Sequence, residues 1–225
     1  MKFLAFLSLT FFILISISCR KFEQEKIIAE AEPYKPTNLY PVERLPTYFN
    51  RVAVMPCYHS DPSSPVLTFG DDVFVKEMSK FGVFEPISVS TKFCKDFFGK
   101  ERLSSSEALP ENFLKILVEK LGANGVLFID LHSFKPYRPL SLGVRAKLVD
   151  LKSGEFMWAI DETIDTGEAS VMVAANLYQR GKHVQALSEK TSSSILQSPR
   201  LFSKFVAHTL FSTLPNRWKL SICIN

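Results

Sequence analysis

The stretch Val126-Leu-Phe-Ile-Asp-Leu-His-Ser-Phe134, followed by Ser141-Leu-Gly-Val-Arg-Ala-Lys-Leu-Val-Asp150 and Glu155-Phe-Met-Trp-Ala-Ile-Asp-Glu-Thr-Ile164, decides how the rest of the chain is read. Leu142, Val144, Ala146 and Leu148 alternate with Ser141, Gly143, Arg145 and Lys147, while Phe156, Trp158 and Ile160 alternate with Met157, Ala159 and Asp161. A side-chain period of two places one set of each strand on a buried face. These two strands are expected to pair antiparallel across the turn Leu151–Gly154, and the Pro-rich loop Lys135–Leu140 to join the first strand to the second.

Working outward, Arg51–Cys57 is a short apolar strand of the kind buried on both faces. Gly70–Phe81 places Phe74, Met78 and Phe81 at helical spacing and stops at Gly82. Val83–Ser90 returns to strand, and Pro86 marks it as an edge. A short helix Thr91–Phe98 and a polar connector Gly99–Leu109 follow, then a helix with Pro110 at its first position. Its apolar stripe is Phe113, Leu114, Leu117, Val118 and Leu121, ending at Gly122. Beyond Gly167 the chain reads as a helix Ser170–Arg180, a loop Gly181–Gln197, a helix Arg200–Leu214 capped by Ser198-Pro199, and an apolar run Leu220–Ile224 that could add an edge strand. The expected fold class is α/β: a mixed sheet with β-α-β-α-β order, followed by an antiparallel hairpin and C-terminal helices packed on the sheet.

The 225 residues are 46% hydrophobic and 22% charged, enough apolar content for a real core and against wholesale disorder. The net charge of +4 is spread among interleaved acids and bases, which argues against a nucleic-acid surface. Met1–Cys19 combines Lys2, an apolar run Phe3–Ile17 and the sequence Ser16-Ile17-Ser18-Cys19, the layout of a signal peptide. As a membrane span the run is short, and polar sequence from Arg20 to Lys26 follows at once. Glu23, Glu25, Glu30 and Glu32 with Pro33, Pro36, Pro41 and Pro46 then read as a semi-extended tether. The expected organisation is residues 1–18 as signal peptide, 19–48 as tether and 49–225 as a single α/β domain.

Ser18-Cys19 at the end of the apolar run resembles the lipobox of bacterial lipoproteins, although Ser16 stands where that pattern usually has Leu and Ile17 where it has a small residue. The resemblance implies cleavage between Ser18 and Cys19, acyl chains on Cys19, and, because Arg20 is not Asp, an outer-membrane destination. More than one chain would make the anchor stable. A second resemblance rests on Arg51-Val-Ala-Val-Met-Pro, on Leu121-Gly-Ala-Asn-Gly before Val126-Leu-Phe-Ile, and on Ala146-Lys-Leu-Val-Asp-Leu-Lys-Ser-Gly-Glu with Trp158 after it. Together these look like the periplasmic α/β domain of CsgG-type secretion lipoproteins, LpoB-type activators and the TolB amino-terminal domain. That implies an envelope protein that works by contacting others.

Chemistry is sparse. His59, His132, His183 and His208 show no ligand spacing, and no metal or other cofactor is expected. Asp130 and His132 should share a face of one strand, but no nucleophile motif accompanies them; Asp161, Glu162 and Asp165 read as a solvated strand end. No phosphate-binding glycine loop is present. Cys57, Cys94 and Cys223 lack a bridging motif, so unpaired thiols are expected, with a Cys57–Cys94 disulfide as the alternative. Tyr137 and Arg138, in Phe134-Lys-Pro-Tyr-Arg-Pro139, are the candidate partner contact, because Tyr and Arg anchor interfaces, against the plainer role of a stiff connection. The reading is a non-enzymatic, lipid-anchored, periplasm-facing module that binds an envelope protein, with a homo-oligomer left open. A secretion-channel subunit is the alternative, disfavoured because no pair of long alternating hairpins is found; a periplasmic hydrolase comes third.

Overall fold

The computed structural model describes residues 30–41, 43–185 and 195–215. Among the described residues six strands form one mixed sheet: β1 (Leu39–Pro41), β2 (Arg51–Val54), β3 (Glu85–Ser88), β4 (Gly125–Lys135), β5 (Ser141–Asp150) and β6 (Phe156–Asp165). Their spatial order is β1-β6-β5-β4-β2-β3, with β2 parallel to both β3 and β4 and the remaining pairs antiparallel. The helices that pack with them, among the described residues, are α1 (Gly70–Ser79), α2 (Thr91–Phe98), α3 (Phe113–Leu121), α4 (Ala169–Gln185) and α5 (Pro199–Phe211). The β-α-β-α-β order, the hairpin and the packed C-terminal helices are those expected from the sequence.

The sheet separates two cores. Val52, Leu127, Ile129, Val144, Ala146, Trp158 and Ile160 meet Phe74 of α1, Val171 of α4, and Phe202, Phe205 and Phe211 of α5. On the other face Ala53, Met55, Val126 and Phe128 meet Cys94 and Phe98 of α2 and Phe113 and Leu117 of α3. Residues 125–131 of β4 are buried without interruption, because one set of alternating side chains enters each core. The Phe49 ring lies against Gly125, where a Cβ would sit 2.3 Å from its Cζ, and meets Phe84 edge-on at 6.2 Å. Gly122 ends α3 in the left-handed region at φ 60°. The backbone N–H of Glu85 donates to the Asn50 carbonyl just before β2 and that of Val89 to Val54 within it, so Pro86 occupies a position whose nitrogen faces the open edge.

Several expectations are corrected. The segment assigned to the tether is bound to the domain from Tyr34 onward. Leu39–Pro41 pairs with β6, and Glu162 accepts hydrogen bonds from Tyr34 Oη (2.7 Å), Thr37 N (2.5 Å) and Asn38 N (2.7 Å). Phe156 is exposed: a register irregularity between Leu148 and Val149 sets it opposite Val149, off the core face. α3 starts at Phe113, with Pro110 accepting from its N–H, and Val118 turns outward at 45% exposure. α4 continues through residues 181–185, past the expected helix end at Arg180, and a 3-10 turn occupies Ile195–Gln197. The run Leu220–Ile224 lies outside the described residues, as do residues 1–29.

Replacing Gly125 by Ala should cost about 1–3 kcal/mol through overpacking against Phe49. The urea midpoint should fall with its slope unchanged, and the added change Phe49→Leu should recover part of the loss; an unmoved midpoint would show that the ring is not tightly held. The β5–β6 turn predicts a pH effect. Burial pushes the Asp150 carboxyl up, but hydrogen bonds from Tyr48 Oη (2.6 Å), Lys152 N (3.0 Å) and Ser153 Oγ (3.0 Å) outweigh it, and the net direction is down. A depressed carboxyl contributes stability that is present above its unfolded value, near 3.9, and lost as pH falls through the folded one. Tyr48→Phe should therefore move acid unfolding to higher pH, read by circular dichroism.

Candidate functional site

α2 and α3 cover only the β2–β4 part of their face of the sheet, because their apolar residues converge on Ala53, Met55, Val126 and Phe128. Over β5, β6 and β1 the same face carries polar side chains in rows set by strand register. Asp130, Arg145 and Asp161 align across β4, β5 and β6, with Asn38 bonded to the Asp161 backbone; Lys147, Ala159 and Tyr40 form the neighbouring row.

Asp130 is 4% exposed and is met from above by the connector between α2 and α3. It accepts from Ser104 Oγ (3.0 Å), Ser105 Oγ (2.7 Å) and Ser105 N (3.0 Å). His132 sits at a register irregularity between Leu131 and Ser133, with Nε2 3.2 Å from Asp161. Its ring occupies the space above Gly143, where a Cβ would fall 2.3 Å from Cε1. Arg145 donates from Nε to Asp161 (2.7 Å) and from Nη1 to Ser106 Oγ (3.1 Å). Lys147 donates to the Ser105 carbonyl at 3.0 Å and lies 6.0 Å above the Phe156 ring. Between these rows is an open depression of about 230 Å³, lined by Asn38, Tyr40, Arg145, Lys147, Ala159 and Asp161, among others.

Asp130 and His132, expected on one face, are thus brought to one surface, but their acids have different partners. Asp130 is spent on serines and Asp161 on Arg145 and His132. The three late carboxylates diverge as well: Asp161 points to this face, Glu162 holds the N-terminal segment, and Asp165 accepts from Gly167 N at 2.7 Å. The three carboxylates therefore do not pair with one another.

Tyr137 is 84% exposed at the tip of the β4–β5 loop. Arg138 turns back to donate from Nε to the Leu196 carbonyl at 3.0 Å, and the Arg138–Pro139 bond is cis. The loop therefore offers the tyrosine outward and uses the arginine internally. Cys57 and Cys94 are free and buried, and burial pushes both thiols up, Cys94 to about 11, so neither is a thiolate at neutral pH. Asp71 accepts from Cys57 N (2.7 Å) and takes a two-point bond from Arg102 (2.9 Å each), fastening the connector to α1. Among the described residues no three His, Cys, Asp or Glu side chains are grouped to hold a metal ion. Ser18, Cys19, Cys223 and the side chain of His183 lie outside the described residues.

Sequence reasoning missed Arg102 and Ser104–Ser106, which sit in a stretch read as mere connector, and Asn38 and Tyr40, assigned to the tether. A run of three serines beside an arginine was the available signal for the first group. For the second there was none, since three residues are too few to show alternation.

No known protein family matches the sequence, and no curated protein does. Solved structures do share its outline. The lipoprotein GNA1162 from Neisseria meningitidis is 16% identical, aligns over 59% of this chain and 99% of its own, and has a TM-score of 0.44. The C-terminal domain of LpoB from Escherichia coli is 16% identical over 52% of this chain and 82% of its own, with a TM-score of 0.35. TolB from Acinetobacter baumannii is 14% identical over 63% of this chain and 30% of its own, with a TM-score of 0.28. Likeness at this level brings no activity, substrate or partner to this chain.

Proposed function

We propose that this chain is a lipid-anchored envelope protein, held at the outer membrane through acyl chains on Cys19 and facing the periplasm, that serves as a non-catalytic partner-binding module in assembly or regulation. Cleavage falls between Ser18 and Cys19, and the domain follows a short tether. The observation that carries the binding role is the β4–β5 loop: Tyr137 is 84% exposed, while Arg138 fastens the loop to Leu196. A tyrosine has only two side-chain torsions to lose on binding, which suits an interface anchor. A non-catalytic role is supported by the fixed partners of the acids on the open face: Asp130 is held by Ser104 and Ser105, and Asp161 by Arg145 and His132. The resemblance of the Arg51–Pro56, Leu121–Ile129 and Ala146–Glu155 stretches to CsgG-, LpoB- and TolB-type domains fits an envelope protein of this kind.

Two measurements test the proposal. Mass spectrometry of the purified N-terminus should find acylated Cys19, and globomycin should block processing; a free Met1 or an unmodified Cys19 excludes the anchor. A photo-crosslinking amino acid at position 137 should trap a discrete heterologous adduct in intact cells, whereas one at Leu177, exposed on α4, should not. Tyr137→Ala should leave thermal stability within about 0.5 kcal/mol of the parent, as for an ordinary surface change, while adduct formation from a neighbouring loop position falls. Self-adducts alone would point to a homo-oligomer instead.

A further inference from the structure

The open depression on the β5–β6–β1 face has a composition that selects among ligands. Its floor is Ala159, the small residue between Tyr40 on one neighbouring strand and Lys147 on the other. Tyr40 is 60% exposed and forms an aromatic wall. The adjoining row supplies Asn38, Asp161 and Arg145. Arg145 has five N–H donors, of which one meets Asp161 and one Ser106; Lys147 has three, of which one meets Ser105. Asp161 and the Asn38 side-chain carbonyl add acceptors.

This mixture excludes simpler ligands. A purely apolar group would desolvate Arg145, Lys147 and Asp161 with nothing in return, and an unpaired polar group is costly to bury. Arg145 and Asp161 neutralise each other at 2.7 Å, which leaves Lys147 as the unneutralised charge of the lining: a cation meets two positive groups, and an anion entering the Arg145 row meets a carboxylate. What suits the site is a neutral ring whose substituents both donate and accept, and whose C–H face can lie on Tyr40. A hydroxylated sugar ring has both properties, because each hydroxyl is at once donor and acceptor and the ring C–H bonds make an apolar face. The volume of about 230 Å³ is small beside the ~300–1,000 Å³ of sites that enclose a drug-sized ligand, and this one is open to solvent. It suits a single ring, with the chain continuing to either side.

We infer that the depression between Tyr40 and Lys147 binds one ring of a saccharide chain, stacked on Tyr40 and hydrogen-bonded by Asn38, Arg145 and Asp161. The inference stands on this face alone and does not depend on acylation or on the Tyr137 loop. The test is saturation-transfer NMR on the full-length protein in lauryldimethylamine oxide, a detergent without a sugar headgroup. Chitotriose and maltotriose are the saccharide probes, and the capped peptide acetyl-Glu-Ala-Glu-Ala-Glu-amide is the anionic one. Ring C–H signals of at least one saccharide should be saturated. Preference between the two distinguishes an amino-sugar polymer from a plain glucan. Tyr40→Ala should weaken binding at least about tenfold, as expected for loss of an aromatic anchor, and Tyr40→Phe should retain it. Ala159→Leu fills the floor without removing a contact group and should abolish binding with the melting temperature unchanged. The inference is overturned if neither saccharide shows transfer, if Ala159→Leu leaves transfer intact, or if only the acidic peptide binds.

Discussion

A strand buried on both faces can carry a charge only if something reaches in to meet it. Asp130, in the doubly buried strand β4, is that charge here, and the connector after α2 folds over the sheet to supply Ser104 and Ser105. An unpaired carboxylate at 4% exposure would cost several kcal/mol. Once the connector is fixed by that requirement, its neighbours follow: Ser106 receives Arg145, the Ser105 carbonyl receives Lys147, and Arg102 reaches Asp71 and the Cys57 carbonyl. One buried acid therefore organises the polar side of the molecule and limits how far α2 and α3 can spread across the sheet.

The other side follows from ordinary packing. α1 and α5 bring Phe74, Phe202, Phe205 and Phe211 onto β4–β6, and Trp158 completes the layer with its indole N–H donated to Thr213 at 3.0 Å. This core closes through shape and area, and the polar face through individual hydrogen bonds. The asymmetry explains why one face is covered across the sheet and the other is left partly open.

The sequence made the sheet legible wherever the cause was local. Alternation identified β5 and β6, Pro86 the edge, Gly122 the end of α3, and Ser198-Pro199 the start of α5. It misled where the cause was distant. Phe156 follows the strand period in sequence, yet the register irregularity at Leu148/Val149 takes it off the core. The segment from Tyr34 to Tyr40 has a tether's composition and is held by Glu162, more than a hundred residues away. The same limit applied to the open face. Asp130 and His132 could be placed together by strand parity, but Arg145, Asp161, Asn38 and Tyr40 join them only through pairing between strands.

The Glu162 bonds also set a length. They clamp the chain at Tyr34, so in a molecule acylated at Cys19 the fourteen residues between those points set the greatest distance from lipid to clamp. At the ~3.3–3.6 Å that a fully extended residue covers, the leash reaches at most about 50 Å. Everything the domain touches must lie within that radius plus the domain's own width. Lengthening this segment would extend the reach and leave the Glu162 clamp in place.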